Sequence, residues 1–277
     1  MLFDTHTHPY ITFKKSPEYN LEHFFWADKN NKCISIWCDI ETSKNSIAFA
    51  QKYPQLKATI GFHPCDLPYT SLNSLLQGEI RLQIDQLKKI YHEDKKHIVA
   101  IWEIGLDYYH LESISQKTGL RVEDIKQMQN LYFRAQIWLA RELWLPFVIH
   151  SRESNEEVLE ILTQQQGKNY VFHCYSGDWE LAQKILQQNS QAMFGLWGVL
   201  TYKKSQQLRE VAKNLPLESI LIETDAPFLT PEPLRGREEN EPIFVSHILK
   251  KLQELRDESP EEIESTLYEN AKKFFRI

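Results

Sequence analysis

The sequence predicts an α/β fold, specifically a (β/α)8 barrel of the TIM type formed as one domain over residues 1–277, and three observations carry that expectation. The length of 277 residues is close to the roughly 250 that one such barrel needs. Short apolar runs alternate with longer amphipathic stretches along the whole chain. Imidazole and carboxylate side chains recur at the C-terminal ends of the short runs, which is the edge where barrels of this type carry their active sites.

Taken in order, the strand candidates are Leu2–His8, Cys33–Asp39, Lys57–His63, Ile98–Leu106, Pro146–Ser151, Tyr170–Tyr175, Ala192–Gly198 and Ile220–Asp225. Between them Ser43–Tyr53, Val122–Leu143, Asn155–Gln165, Trp179–Gln188 and Ser205–Asn214 show the apolar spacing of helices with one buried face. The stretch from Pro242 to Ile277, with a helix start at Ser259-Pro260-Glu261-Glu262, predicts two terminal helices that close the barrel. An open doubly wound sheet is disfavoured because no GxGxxG follows the first strand.

An apolar fraction of 42% and a charged fraction of 25% suit a soluble globular enzyme. The formal charge of -6 supplies no global positive field, so a nucleic-acid substrate would need local cations or metal. Cys33, Cys38, Cys65 and Cys174 form neither a CxxC pair nor a dense framework, and they read as reduced thiols. No apolar signal region or membrane-length apolar run is visible, which predicts a cytoplasmic protein without membrane association. Nothing marks an unusually apolar outer face, which is compatible with a monomer.

His6 and His8 end the first strand two residues apart, so both imidazoles share one face and can clamp a metal. His63 ends the third run, Glu103 lies on the fourth, His150 ends the fifth, His173 lies near the end of the sixth and Asp225 ends the eighth. Imidazole and carboxylate are ligands that Zn2+ and Mn2+ accept, and one carboxylate can bridge two ions, so the set suffices for two metals. A lone strand-end histidine such as His63 is more often a packed core residue than a ligand, whereas burying His6 beside His8 without a partner is costly. His23, His92, His97, His110 and His247 fall off the strand ends and are expected at the surface. Cys174, next to His173, is expected to face the helices.

Six ordered motifs resemble those of the TatD-type metal-dependent deoxyribonucleases of the amidohydrolase superfamily over essentially the full length. They are Phe3-Asp4-Thr5-His6-Thr7-His8, Gly61-Phe62-His63-Pro64, Glu103-Ile104-Gly105-Leu106-Asp107-Tyr108-Tyr109, Ile149-His150-Ser151-Arg152, Phe172-His173-Cys174-Tyr175-Ser176-Gly177 and Ile222-Glu223-Thr224-Asp225-Ala226-Pro227-Phe228-Leu229. The resemblance implies that His6, His8, Glu103 and Asp225 hold one divalent ion (Zn, Mn or Mg) and that Glu103, His150 and His173 hold another, with His63 contacting substrate or a ligand. It further implies hydrolysis of DNA, with exonuclease-like 3′-5′ action on single strands. Trp102 stands where the family usually has glycine, Cys65 where a second histidine is common, and Glu238 and Glu239 lie in a loop that tends to be basic. Trp102 bears on the backbone and substrate approach beside Glu103, Cys65 removes a possible ligand or proton carrier, and the acidic loop bears on whether nucleic acid is the substrate.

Divalent cations lower the pKa of water, which provides a nucleophile without serine or cysteine, and Asp225 is the expected proton acceptor. Arg152, Arg235 and Arg237 are candidates to hold a phosphate, with a solvated surface role as the alternative. Tyr108, Tyr109, Trp102 and Trp197 are candidates to stack on bases or, equally, to pack in the barrel wall. The same site chemistry would serve an ester or amide hydrolase, such as an aminoacyl-tRNA deacylase or a lactonase. A metal-binding scaffold without activity is disfavoured by the complete ligand set.

Overall fold

The computed structural model describes residues 1–9, 17–36, 40–70 and 78–277. Eight strands pair in parallel and in chain order: β1 (Phe3–Thr7), β2 (Lys32–Ser35), β3 (Leu56–Ile60), β4 (Ile98–Asp107), β5 (Phe147–Arg152), β6 (Tyr170–Phe172), β7 (Met193–Leu196) and β8 (Ile220–Ile222). The sheet curls back on itself beyond the last strand. Thr7 forms a parallel bridge with Ala226, His8 N donates to Ala226 O at 2.8 Å, and Asp225 N donates to His6 O at 3.0 Å. The architecture is the expected (β/α)8 barrel.

Helices cover the outside: α1 (Pro17–Ala27), α2 (Ile40–Lys52), α3 (Ile80–Glu93), α4 (Leu111–Thr118), α5 (Val122–Leu143), α6 (Asn155–Gln164), α7 (Trp179–Gln188), α8 (Gln206–Asn214), α9 (Val245–Leu255) and α10 (Pro260–Phe275). In α5 the buried Ile125, Met128, Tyr132, Phe133, Ile137 and Ala140 recur every three or four residues, which puts them on the face that meets the sheet. Asp178 caps α7 by accepting from Leu181 N, and Ser259 caps α10 by accepting from Glu262 N, with proline in its first turn. No described helix is long and apolar enough to cross a membrane.

The barrel interior has its own apolar layer: Phe3, Ile34, Val99, Trp102, Val148, Val171, Met193 and Leu221 pack together with Tyr268 and Phe275 of α10. That helix therefore closes the N-terminal end, and Asn270 fastens it by donating to Leu217 O and Ile220 O at 2.8 and 2.9 Å. Polar side chains are left to collect at the opposite end.

Strand ends differ from the sequence expectation in ways that matter for chemistry. β6 stops at Phe172 and β8 at Ile222, so His173 and Asp225 stand on the loops that follow. β5 runs on to Arg152. Cys38 and Asp39, expected at the end of the second strand, lie outside the described residues.

Candidate metal centre

His6 and His8 share the inward face of β1, as alternation requires, and both are buried. Their Nε2 atoms are 3.1 Å apart, and Asp225 Oδ1 lies 3.1 Å from the first and 3.3 Å from the second. Asp225 reaches them because its backbone turns left-handed (φ 57°) three residues after β8 ends. Asp4, Thr224 and the closing backbone contacts fix this corner: Thr224 Oγ1 and N donate to the buried Asp4 carboxylate at 2.6 and 2.9 Å.

Glu103 owes its position to a bulge. Ile101 pairs with Phe147 but Ile104 with Ile149, so β4 spends one residue more than β5 over the same span, and Glu103 takes the unusual φ of 28° there. Trp102 and Glu103 thus both turn into the barrel, while Ile101 and Ile104 pack against the helices. Trp102 is fully buried, its ring edge-on to His6 at 4.1 Å and 5.5 Å from His173, so it forms the apolar floor of the site. Its expected alternative role in stacking on bases is excluded by this burial. Gly105 is required just beyond, because a Cβ there would lie 1.9 Å from His150 O.

His150 and His173 face Glu103 from the other side. His150 Nδ1 lies 3.0 Å and His173 Nε2 3.3 Å from Glu103 Oε1. Each ring is held from behind by a carboxylate for which the sequence suggested no role: Asp107 Oδ2 is 2.9 Å from His150 Nε2, and Glu223 Oε1 is 3.0 Å from His173 Nδ1. Glu223 fits because Gly195 on β7 leaves room, since a Cβ there would approach its carboxylate to 2.5 Å. Such carboxylate–imidazole pairs fix ring orientation and raise ligand basicity. A carboxylate at or one residue past the end of a strand that carries a ligand candidate was the available signal.

The charges are strongly coupled. Burial lowers His6 to about 4, reinforced by His173, so its ring is neutral with a lone pair to offer. Burial also opposes charge on Glu103 and Asp225, yet His63, His173 and His150 around the first, and His6 and His8 beside the second, hold both carboxyls below their ordinary range. His150, although buried, is lifted to about 9 by Asp107 and Glu103, and His173 is raised by Glu223 and Glu103. Cations here are demanded by the carboxylates, and protons on the two imidazoles answer that demand only in part.

Two donor groups share Glu103: His6, His8 and Glu103, and His63, Glu103 and His150, each with ligand atoms within 4.8 Å of one another. His63 accepts from Cys65 N at 3.1 Å through Nδ1, which leaves Nε2 facing His150 Nδ1 at 3.4 Å and Glu103 at 3.7 Å. The donor spacings around His6, His8 and Asp225 match the edges of a tetrahedron about 3.3 Å long that ligands near 2.0 Å from a metal would span. The residues present therefore fit a divalent cation.

Arg152 is exposed at the end of β5, its guanidinium 3.8 Å above the ring of Tyr109, and Arg235 stacks likewise on Tyr202 at 3.9 Å. Arg237 is exposed in the same turn as Arg235. Tyr109 is exposed, whereas Tyr108 is half-buried with its hydroxyl on Glu157 at 2.5 Å and Trp197 is half-buried with Nε1 donating to Tyr175 O. Phe228, 41% exposed and 5.9 Å from the His8 ring, adds an aromatic rim residue that had no assigned role.

Two expectations are corrected. Cys174 does not face the helices: β6 has already ended, its φ of 43° turns the chain, and its sulfur lies within 4.8 Å of ligand atoms of His173 and Asp225. His110 is not a free surface residue, because its N and Nδ1 lie 2.8 and 3.0 Å from the Asp107 carboxylate. His97 and His23 are likewise engaged, with Asp94 at 2.7 Å and Glu241 at 3.0 Å, while His92 is exposed.

Residues 3–276 match the profile of the TatD related DNase family. The chain is 33% identical to YabD of Bacillus subtilis, an uncharacterized metal-dependent hydrolase, with 100% of each covered. It is 31% identical to YcfH of Escherichia coli K12, described in the same words, over 70% of this chain and 68% of the relative. Among solved structures, YJJV, a TatD homolog from Escherichia coli K12, superposes with a TM-score of 0.82 at 27% identity, covering 100% of this chain and 98% of that one. A TatD family hydrolase from Entamoeba histolytica shares the fold with a TM-score of 0.78 at 22% identity, covering 99% and 97%. Matched from end to end by sequence and by fold, the chain belongs to the TatD-related DNase family and is a metal-dependent hydrolase.

Proposed function

We propose that the protein is a two-metal phosphodiesterase that hydrolyses DNA, working on single strands in the 3′-5′ direction. The observation that carries this reading is the place of Glu103, grouped with His6 and His8 on one side and 3.0 and 3.3 Å from His150 and His173 on the other, where a single carboxylate can serve a pair of ions. On this reading His6, His8 and Asp225 would hold one ion and His150 and His173 the other, with Glu103 available to both. Bound divalent cations would supply Lewis acidity toward phosphoryl oxygens and acidify water.

The remaining work falls to side chains. Asp225, held ionised by His6 and His8 despite burial and set at the open end, accepts the proton of the attacking water and returns it to the leaving oxygen. His63 Nε2, with Nδ1 already occupied by Cys65 N, presents a donor toward the same space for a phosphoryl oxygen. Arg152, stacked on Tyr109, keeps a guanidinium edge for a phosphate, and Arg235 and Arg237 extend the same preference around the rim. Tyr109, exposed beside Arg152, offers an aromatic surface for unpaired bases. Free thiols at Cys33, Cys65 and Cys174 suit a reducing, cytoplasmic setting.

A second reading has its own observation. A cavity of about 700 Å3 at the β5 and β6 end is walled by Glu153, Glu156, Glu157, Asp178 and Glu180, with Lys184 as its cation. That wall repels a phosphate chain and would favour the ammonium of an aminoacyl ester. Metal-loaded and chelated protein assayed on single-stranded DNA, duplex DNA, aminoacyl-tRNA and a lactone separates the two. Metal-dependent release of nucleotides from single-stranded DNA is the expected result, and turnover of the ester alone would overturn the DNase reading.

A further inference from the structure

We propose that Cys65, Asp107 and His110 form a separate site for a thiophilic divalent cation such as Zn2+, set outside the donors that surround Glu103. The three ligands come from the loop after β3, the end of β4 and the residue that precedes α4. Their ligand atoms lie within 4.8 Å of one another. Cys65 Sγ is 3.7 Å from His110 Nδ1, and that nitrogen is 3.0 Å from Asp107 Oδ2. A tetrahedral Zn2+ with sulfur at about 2.3 Å and nitrogen and oxygen at about 2.0 Å spans edges of roughly 3.5 and 3.3 Å, so a shift of a few tenths of an ångström admits it.

Chemistry as well as spacing favours a cation. The half-buried Cys65 sulfur lies within 4.8 Å of the Asp107 carboxylate, so a thiolate there has no positive partner among these donors. A divalent ion supplies that partner. Its uptake releases one proton, from the thiol, while the His110 ring hydrogen passes from Nδ1 to Nε2 and the ring stays neutral. The His110 side chain is 39% exposed, which leaves water access for a fourth ligand and a path for entry. Thiolate, imidazole and carboxylate together select Zn2+ or Co2+ over Mg2+. Asp107 Oδ2 also holds His150 Nε2 at 2.9 Å, so the outer ion shares the oxygen that orients a residue of the central site.

Cobalt titration of the metal-free protein tests the site. The wild type is expected to develop a near-ultraviolet sulfur-to-cobalt charge-transfer band that Cys65→Ser abolishes and Cys174→Ser retains. His6→Ala with His8→Ala should also retain it, which separates failure of the central site from failure of this one. In elemental analysis Cys65→Ser and His110→Ala should each carry one zinc equivalent fewer than the wild type. His110, being partly exposed, serves if Cys65→Ser does not fold. Absence of the band in the wild type, its persistence in Cys65→Ser, its loss in Cys174→Ser, or an unchanged zinc content in both variants would overturn the proposal.

Discussion

His150 is held between two carboxylates, its Nε2 2.9 Å from Asp107 Oδ2 and its Nδ1 3.0 Å from Glu103 Oε1. Asp107 is 1% exposed and takes a second anchor from His110, so the ring has one orientation and one face for chemistry. Asp107→Asn should lower metal affinity by about 10–100-fold while leaving the barrel folded. Isothermal titration with Zn2+ or Mn2+ measures this, and an unchanged affinity would remove Asp107 from the site.

The same pair sets a pH dependence in the metal-free protein. His150 rises from 6.5 in the unfolded chain to about 9 when folded, because Asp107 and Glu103 outweigh its burial. Its contribution to stability is therefore complete below pH 6.5 and is lost as the pH rises through about 9. Histidine-resolved NMR should show one imidazole titrating near 9 and another, His6, near 4. In Asp107→Asn the first should move down toward the ordinary value.

Asp225→Asn should keep most of the metal and the fold but reduce turnover by about 10²–10⁴-fold, the range expected when a positioned proton acceptor is lost. Elemental analysis alongside single-turnover cleavage of single-stranded DNA distinguishes this from simple loss of a ligand. Activity near that of the wild type would leave the proton acceptor to be found elsewhere.

Much of this was legible in the sequence for reasons that are physical and local. The His6 and His8 pair follows from strand alternation, and the placing of His150 near the C-terminal end of β5 follows from where the fifth apolar run closes. Other features depend on relations between strands that no local pattern records. The bulge in β4 turns both Trp102 and Glu103 inward, against the alternation that would put one of them outside. Cys174 turned out to face the site because β6 ends at Phe172, three residues earlier than the run to Tyr175 suggests. Glu223 and Asp107 acquire their partners 50 and 43 residues away, across strand boundaries.

Trp102→Ala should cost about 3–5 kcal/mol, the usual range for removing a large aromatic side chain from a packed core. Thermal or urea unfolding reads it directly. Since the indole also floors His6 and His173, metal affinity should fall with stability. A stability unchanged within 1 kcal/mol would show that the interior layer is not close-packed there.

Gly195→Ala should act at a distance from its own backbone, by displacing the Glu223 carboxylate that its missing Cβ accommodates at 2.5 Å. Loss of the hold on His173 predicts a drop in metal affinity of about 10–100-fold. Titration with Mn2+ measures it, and restoration by shortening the partner, in Gly195→Ala with Glu223→Asp, would identify the cause.

Glu103, Cys174 and Asp225 all carry positive φ, a backbone state that each side chain disfavours by roughly 1–3 kcal/mol. The rim is therefore locally frustrated, and the rest of the barrel must outvote it. Laboratory selection of this protein for heat resistance alone should repeatedly return glycine or asparagine at these positions. The winners would be sturdier barrels that have forgotten their chemistry, so selection needs an activity screen beside the thermal one.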